Sequence, residues 1–66
     1  MALTGTEQKI VGKMKALGAT KEMRAVILML LDEKEACQEE LIEYMTEHGR
    51  ATPRQLLEKT LEITRG

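Results

Sequence analysis

The chain has 66 residues, and its ten basic and eleven acidic side chains give a net charge of −1. Such a near balance argues against a nucleic-acid coat and against a polybasic membrane anchor. The length predicts one domain over residues 1–66, with an aliphatic, methionine-rich core, because the sequence has no Phe or Trp and a single Tyr. A core this small gives marginal stability, so we expect a dimer more readily than a monomer.

The cysteine count and the apolar runs favour a cytoplasmic protein. Cys37 is the only cysteine, which excludes an internal disulfide and a thiolate metal cluster and is typical of a reducing compartment. The N-terminus lacks a basic segment followed by an apolar run, so no signal peptide is expected. The longest apolar run, residues 25–31, is far shorter than the roughly 20 residues that a membrane helix requires. We therefore expect no membrane contact, no metal and no cofactor.

The hydrophobic periodicity predicts an all-α fold, a compact bundle of four short helices at about residues 6–17, 21–31, 33–48 and 53–64. Thr4 and Glu7 have the spacing of a capping box at the start of the first helix, and Thr6 is a competing N-cap. Gly18 is expected to end that helix, since glycine takes the left-handed conformation without strain. Thr20 is then the predicted N-cap of the second helix.

Residues 25–31 of the second helix are all apolar, and charged residues flank them on both sides. A helix that is apolar all round is expected to be buried all round. We therefore expect Val26 to Leu31 to be enclosed on every side, either by the three other helices or by a second copy of the chain. Enclosing this helix leaves little material for an active-site cleft.

The boundary between the second and third helices has two interpretations. Asp32 and Glu35 repeat the capping-box spacing, which favours a tight turn at Asp32. Against a break, no Gly or Pro intervenes, and apolar positions keep a seven-residue phase through residues 21–48. One continuous helix over that range would expose apolar surface and make dimerisation almost obligatory. We favour the turn.

The boundary between the third and fourth helices is the most clearly marked in the chain. Gly49 ends the third helix, Thr52 is the predicted N-cap of the fourth, and Pro53 occupies its first position. Gln55 lies three residues after the cap and completes a capping box. The sequence therefore predicts a helix that begins at Pro53.

Charge is unevenly distributed along the chain, since residues 32–47 carry a net charge of −6. The glutamates of the third helix include pairs four residues apart, where like charges repel along one edge. This edge is either a solvated face or a docking surface for a basic partner, such as the Lys9 and Lys13 face of another copy. The candidate partner-binding residues combine this edge with apolar positions of the second helix: Glu39, Glu40, Glu43, Glu47, Leu28 and Met29.

The side chains that most resemble a catalytic group share one side of the third helix, namely Cys37, Tyr44 and His48. Cys37 and His48 are eleven residues apart, about 16 Å along a straight helix, so they cannot share a proton or a metal ion. No phosphate-binding glycine loop, nucleophile elbow or metal-ligand spacing occurs in the sequence. We therefore predict no catalytic residue and a protein that is not an enzyme.

Residues 40–59 include the turn Gly49-Arg50-Ala51-Thr52 between two predicted helices. This segment resembles the opening of winged helix-turn-helix regulators. The resemblance implies nucleic-acid binding, with Arg50, Arg54 and Lys59 as phosphate contacts. In that family a recognition helix and a wing follow, whereas this sequence stops at Gly66. The whole chain also resembles short, uncharacterised helical proteins of bacteria, which implies a fold and no function.

Taken together, these features predict a small non-enzymatic helical protein that acts through protein–protein contact or self-association. The alternative is a nucleic-acid-binding module related to the helix-turn-helix. The sequence identifies neither the partner nor the symmetry of an oligomer.

Overall fold

The computed structural model describes residues 3–65, which form four α-helices and no strand. Residues 1, 2 and 66 of the predicted domain lie outside the described part of the chain. This architecture confirms the predicted all-α bundle, and each helix end lies within two residues of its predicted position. The helices are α1 (Gly5–Ala16), α2 (Lys21–Leu30), α3 (Glu35–Glu47) and α4 (Pro53–Arg65).

The helices pack around a single aliphatic core within dimensions of 28 × 25 × 20 Å. α3 lies against both α1 and α4, while α2 packs against α4 and, over a shorter stretch, against α1. Each helix contributes at least one fully buried apolar side chain. The buried core residues are Ile10, Met14, Ala19, Ile27, Leu31, Leu41, Met45, Ala51 and Leu56.

Threonine caps start three of the helices, as the sequence predicts. At α1 the Glu7 amide donates to Thr4 Oγ1 at 3.1 Å, and the Thr4 amide donates to Glu7 Oε1 at 2.9 Å. The same reciprocal pair links Thr52 and Gln55 at the start of α4. Because Thr4 is the N-cap, the competing prediction of Thr6 as the cap is wrong, and Thr6 lies inside α1.

The C-terminal end of α1 and the start of α2 also follow the prediction. Gly18 has a φ of +85°, the left-handed conformation that glycine adopts freely. Its amide donates to the Lys15 carbonyl, and the Ala19 amide donates to the Met14 carbonyl at 2.9 Å, which together form a Schellman motif. Thr20 then caps α2 by accepting from the Met23 amide at 3.2 Å.

A turn separates α2 from α3, so the continuous helix over residues 21–48 is excluded. The predicted capping box of Asp32 and Glu35 is nevertheless wrong. The N-cap of α3 is Lys34, which makes no side-chain capping bond. Glu33 takes a φ of +59°, and this left-handed residue delays the helix start until Glu35. Glu35 is therefore the first residue of α3 rather than the third, where a capping-box glutamate belongs.

A buried glutamine fixes the end of α2 against α3. The Gln38 side-chain amide donates to the Leu31 carbonyl at 2.8 Å, and Gln38 is buried. This carbonyl belongs to Leu31, the C-cap of α2, and it also accepts from the Lys34 amide at 3.0 Å. The Gln38 side chain of α3 thus adds a second donor to this carbonyl and ties the end of α2 to α3.

The expectation that Val26 to Leu31 would be enclosed on every side is not met within one chain. Ile27 and Leu31 are 0% exposed, whereas Val26 is 46% and Met29 is 76% exposed. Successive helical residues turn by about 100°, so a run of seven apolar residues covers every face of α2. The main contacts of α2 are with α4 and α1, so the side of α2 that faces these two helices is covered and the opposite side is exposed.

Candidate interaction surface

The uncovered side of α2 forms a continuous face whose residues are all exposed. Their spacing of three, four and seven residues places them on one side of the helix. We call this surface the outer face of α2. Its residues are Glu22, Ala25, Val26 and Met29.

The outer face of α2 is mostly apolar, which is unusual for an exposed helix side. Met29 is the most exposed large apolar side chain of the described residues, and Val26 is half exposed beside it. Glu22 is the only charged member of the face. Single exposed apolar residues are ordinary on protein surfaces, but neighbouring ones on one helix face indicate a contact region.

The structure separates the two α2 residues that the sequence predicted as partner-binding. Met29 lies in the centre of the outer face, while Leu28 is half-buried and packs against the core. Val26, and not Leu28, is the exposed neighbour of Met29. The spacing does not distinguish the two, because Val26 and Leu28 lie about 100° to either side of the buried Ile27 on the helix.

The four glutamates predicted as an acidic edge on α3 are all exposed. None of them forms a salt bridge with another described residue. A shallow depression beside them is lined also by Tyr44, His48 and Lys59. We call this surface the acidic edge of α3: Glu39, Glu40, Glu43 and Glu47. Its charges are free to attract a basic partner, although solvent accounts equally well for their exposure.

Tyr44 of α3 is half-buried and contacts side chains of both α3 and α4. Its ring centroid is 4.5 Å from that of His48, and Lys59 Nζ is 5.5 Å from the Tyr44 ring centroid. Lys59 Nζ is also 3.2 Å from Glu62 Oε1. The aromatic ring is therefore already occupied by side chains of this chain, which is a structural use of a cation–π contact.

The three side chains considered for catalysis do not converge. Cys37 is half-buried, and its thiol donates to the Ile63 carbonyl at a sulfur–oxygen distance of 4.0 Å, near the end of α4. His48 is the C-cap of α3 and stacks on Tyr44. Cys37 and His48 thus lie at opposite ends of α3 and have different neighbours.

The basic residues assigned to nucleic-acid contact differ in their surroundings. Arg50 is exposed in the loop between α3 and α4, and it forms no salt bridge with a described residue. Arg54 Nε lies 3.9 Å from Glu58 Oε2, and Lys59 pairs with Glu62. A phosphate approaching either of these two would also meet a carboxylate.

A second acidic surface occurs where the start of α1 meets the turn between α2 and α3. A shallow depression there is lined by Glu7, Asp32, Glu33 and Glu35, together with threonine and glutamine side chains. Within residues 3–65, no group of three or more His, Cys, Asp or Glu side chains is placed to hold a metal ion. None of the helices in that part of the chain combines the length and hydrophobicity needed to cross a membrane.

Comparison with known proteins adds no further assignment. No protein-family model, no curated protein and no solved structure matches this chain. The arrangement of its own side chains is therefore the basis for any functional conclusion.

Proposed function

We propose that this protein is a non-enzymatic, cytoplasmic helical module that acts by binding a polypeptide through the outer face of α2. The supporting observation is the exposure of Met29 and Val26 on the most apolar segment of the chain. Burying apolar surface contributes about 25 cal/mol per Å², and this face holds the two most exposed large apolar side chains of residues 3–65. The polypeptide is either a second copy or another protein.

The location of these residues supports binding rather than folding as their role. The core of the bundle is complete without them, since Ile27 and Leu31 fill the inner side of α2. Exposed apolar residues contribute little to the stability of the separate chain, and they favour unwanted aggregation. Contact with a partner gives them a stabilising role.

The side-chain arrangement gives an enzymatic function little support. A catalytic site needs a nucleophile or a proton-transferring group within hydrogen-bond reach of its partner groups. Cys37 and His48 lie apart along α3, and the glutamates of its acidic edge are exposed to solvent. A pair of catalytic carboxylates needs an apolar cleft, and these exposed glutamates have none around them.

A charge substitution at the centre of the outer face tests the proposal. Met29→Glu places a negative charge at the most exposed apolar position, and Leu61→Glu makes the same change at an α4 residue that is 40% exposed. We expect Met29→Glu to abolish saturable binding, whether of a second copy in sedimentation or of a purified partner in calorimetry. Leu61→Glu should retain it.

Two outcomes would contradict this function. One is binding of equal affinity in the wild type and Met29→Glu. The other is a protein that neither self-associates nor binds any polypeptide in a Met29-dependent way. Circular dichroism of both variants provides the control for folding.

The nucleic-acid alternative rests mainly on Arg50, the exposed loop residue without a salt bridge to any described residue. The glutamates beside Arg54 and Lys59 weaken it, because they compete with phosphates for the basic side chains. Phosphate contacts make affinity fall steeply with salt. A titration with duplex DNA at low and moderate salt tests this alternative, and absence of binding at low salt removes it.

A further inference from the structure

We propose that the occupant of the outer face of α2 is the same face of a second copy, packed antiparallel about a two-fold axis near Ala25. This inference rests on the proposed function and names the partner. It is carried by three features of α2: the small residue at its centre, the positions of its flanking charges and its dipole.

The side chains of the outer face are sized for a close antiparallel contact. Glu22, Ala25 and Met29 follow one another at three and four residues, and Ala25 is the smallest of the three. With the axis between residues 25 and 26, Ala25 faces its own copy, so the two backbones can approach closely. Each Met29 then lies over the aliphatic stem of the partner's Glu22, and Val26 covers one flank.

The charges beside the outer face attract each other in an antiparallel pair of α2 helices and repel each other in a parallel pair. Lys21 begins α2 and Asp32 follows its end, and both are exposed. They are eleven residues apart, which is three helical turns, so they lie on the same flank. An antiparallel copy brings each Lys21 within about 3 Å, along the axis, of the partner's Asp32. A parallel copy would instead pair Lys21 with Lys21 and Asp32 with Asp32.

The helix dipoles favour the same orientation. Antiparallel helices place the positive N-terminal end of each beside the negative C-terminal end of the other. α2 has no basic residue in its last turn, so none of its own side chains there offsets the negative end of its dipole. Lys21 of the second copy supplies a positive charge at that end.

The size of the face predicts a weak, reversible dimer. Stable interfaces bury roughly 800 Å² on each partner. One side of a helix of ten residues, about 15 Å long, offers less than this. The dimer should therefore dissociate on dilution, and its affinity should respond to single charge changes.

Disulfide trapping with single cysteines tests the orientation. In a Cys37→Ser background, Ala25→Cys should form a cross-linked dimer under mild oxidation, because the two copies of residue 25 lie within about 2 Å of each other along the axis. Glu22→Cys alone should not, since its copies are about 10 Å apart along the axis. A mixture of Glu22→Cys and Met29→Cys should cross-link to each other.

The possible results separate this inference from the proposed function. Self-cross-linking of Glu22→Cys with itself, and of Met29→Cys with itself, would show a parallel contact and overturn the inference. A wild type that stays monomeric, but binds another protein in a Met29-dependent way, would also overturn it and leave the proposed function standing. A dimer whose affinity Met29→Glu does not change would contradict both.

A charge exchange provides an independent check. Lys21→Glu and Asp32→Lys should each weaken the dimer roughly two- to tenfold, and the double variant should recover wild-type affinity. Lys15→Glu, an exposed lysine on α1, makes the same charge change away from the contact and should leave the affinity unchanged. Equal effects of Lys21→Glu and Lys15→Glu, or no recovery in the double variant, would contradict the pairing.

Discussion

The two sides of α2 have similar residues and opposite surroundings. Ile27 and Leu31 are fully buried on the inner side, while Val26 and Met29 are exposed on the outer face. All four belong to one uninterrupted apolar run. The apolar composition of α2 thus indicates that the helix contacts other surfaces, but the positions of the neighbouring helices determine which of its sides is buried. We attribute the inner side to folding and the outer face to binding.

The largest difference between the two sides should appear in a matched pair of alanine variants. Ile27→Ala removes a fully buried side chain and should lower the free energy of unfolding by roughly 2–5 kcal/mol. Met29→Ala removes an exposed one and should change it by less than about 0.5 kcal/mol at concentrations where the chain is monomeric. Urea denaturation measures both free energies of unfolding. Similar losses of stability in the two variants would contradict the assignment of the inner side to folding and of the outer face to binding.

The buried bond at the end of α2 gives the next largest effect. Gln38→Leu removes the side-chain donor to the Leu31 carbonyl but leaves the bond from the Lys34 amide, so the free energy of unfolding should fall by roughly 1–1.5 kcal/mol. Gln8 makes a similar bond to the Leu3 carbonyl at an exposed position. Gln8→Leu should therefore have little effect, and a comparable loss would show that burial is not what makes Gln38 important.

The cap at the start of α2 should have a smaller effect. Thr20→Ala removes the acceptor for the Met23 amide and should cost about 1 kcal/mol in thermal or urea unfolding. Thr46 bonds the Ile42 carbonyl within α3 and caps no helix. Thr46→Ala should be neutral or slightly stabilising. A loss of stability in Thr46→Ala without one in Thr20→Ala would contradict the assignment of Thr20 as the N-cap of α2.

The turn that ends α2 should show the smallest effect, in the opposite direction. Glu33 has a φ of +59°, a conformation that costs a residue with a Cβ roughly 1–2 kcal/mol. Glu33→Gly removes that cost but adds about 0.5–1 kcal/mol of backbone entropy, which leaves a net stabilisation of about 0.5 kcal/mol. Glu33→Ala keeps the Cβ and should show no such gain. Equal stability of the two variants would argue against strain at this position.

The helix starts were predictable because their determinants are local. Thr4, Thr20 and Thr52 each bond to an amide three residues ahead, and Gly18 alone determines where α1 ends. The capping box expected at Asp32 failed because a left-handed residue, Glu33, intervened, and glutamate gives no sequence indication of that conformation.

The remaining features depend on which helices meet. Gln38 is a polar residue whose burial follows from the position of the Leu31 carbonyl across the α2–α3 turn. The exposure of Val26 in place of Leu28 follows from the packing of α2 against α4 and α1. The composition of the apolar run predicts an apolar surface that the chain leaves uncovered, but only the three-dimensional arrangement shows on which side of α2 that surface lies.

Sedimentation velocity over a concentration series, with the wild type and Met29→Glu run in parallel, tests the role of the outer face most directly. We predict that the wild type changes from monomer to dimer as its concentration rises, while Met29→Glu stays monomeric with an unchanged circular dichroism spectrum. Identical profiles for the two proteins, together with no Met29-dependent binding of any other polypeptide, would contradict the account.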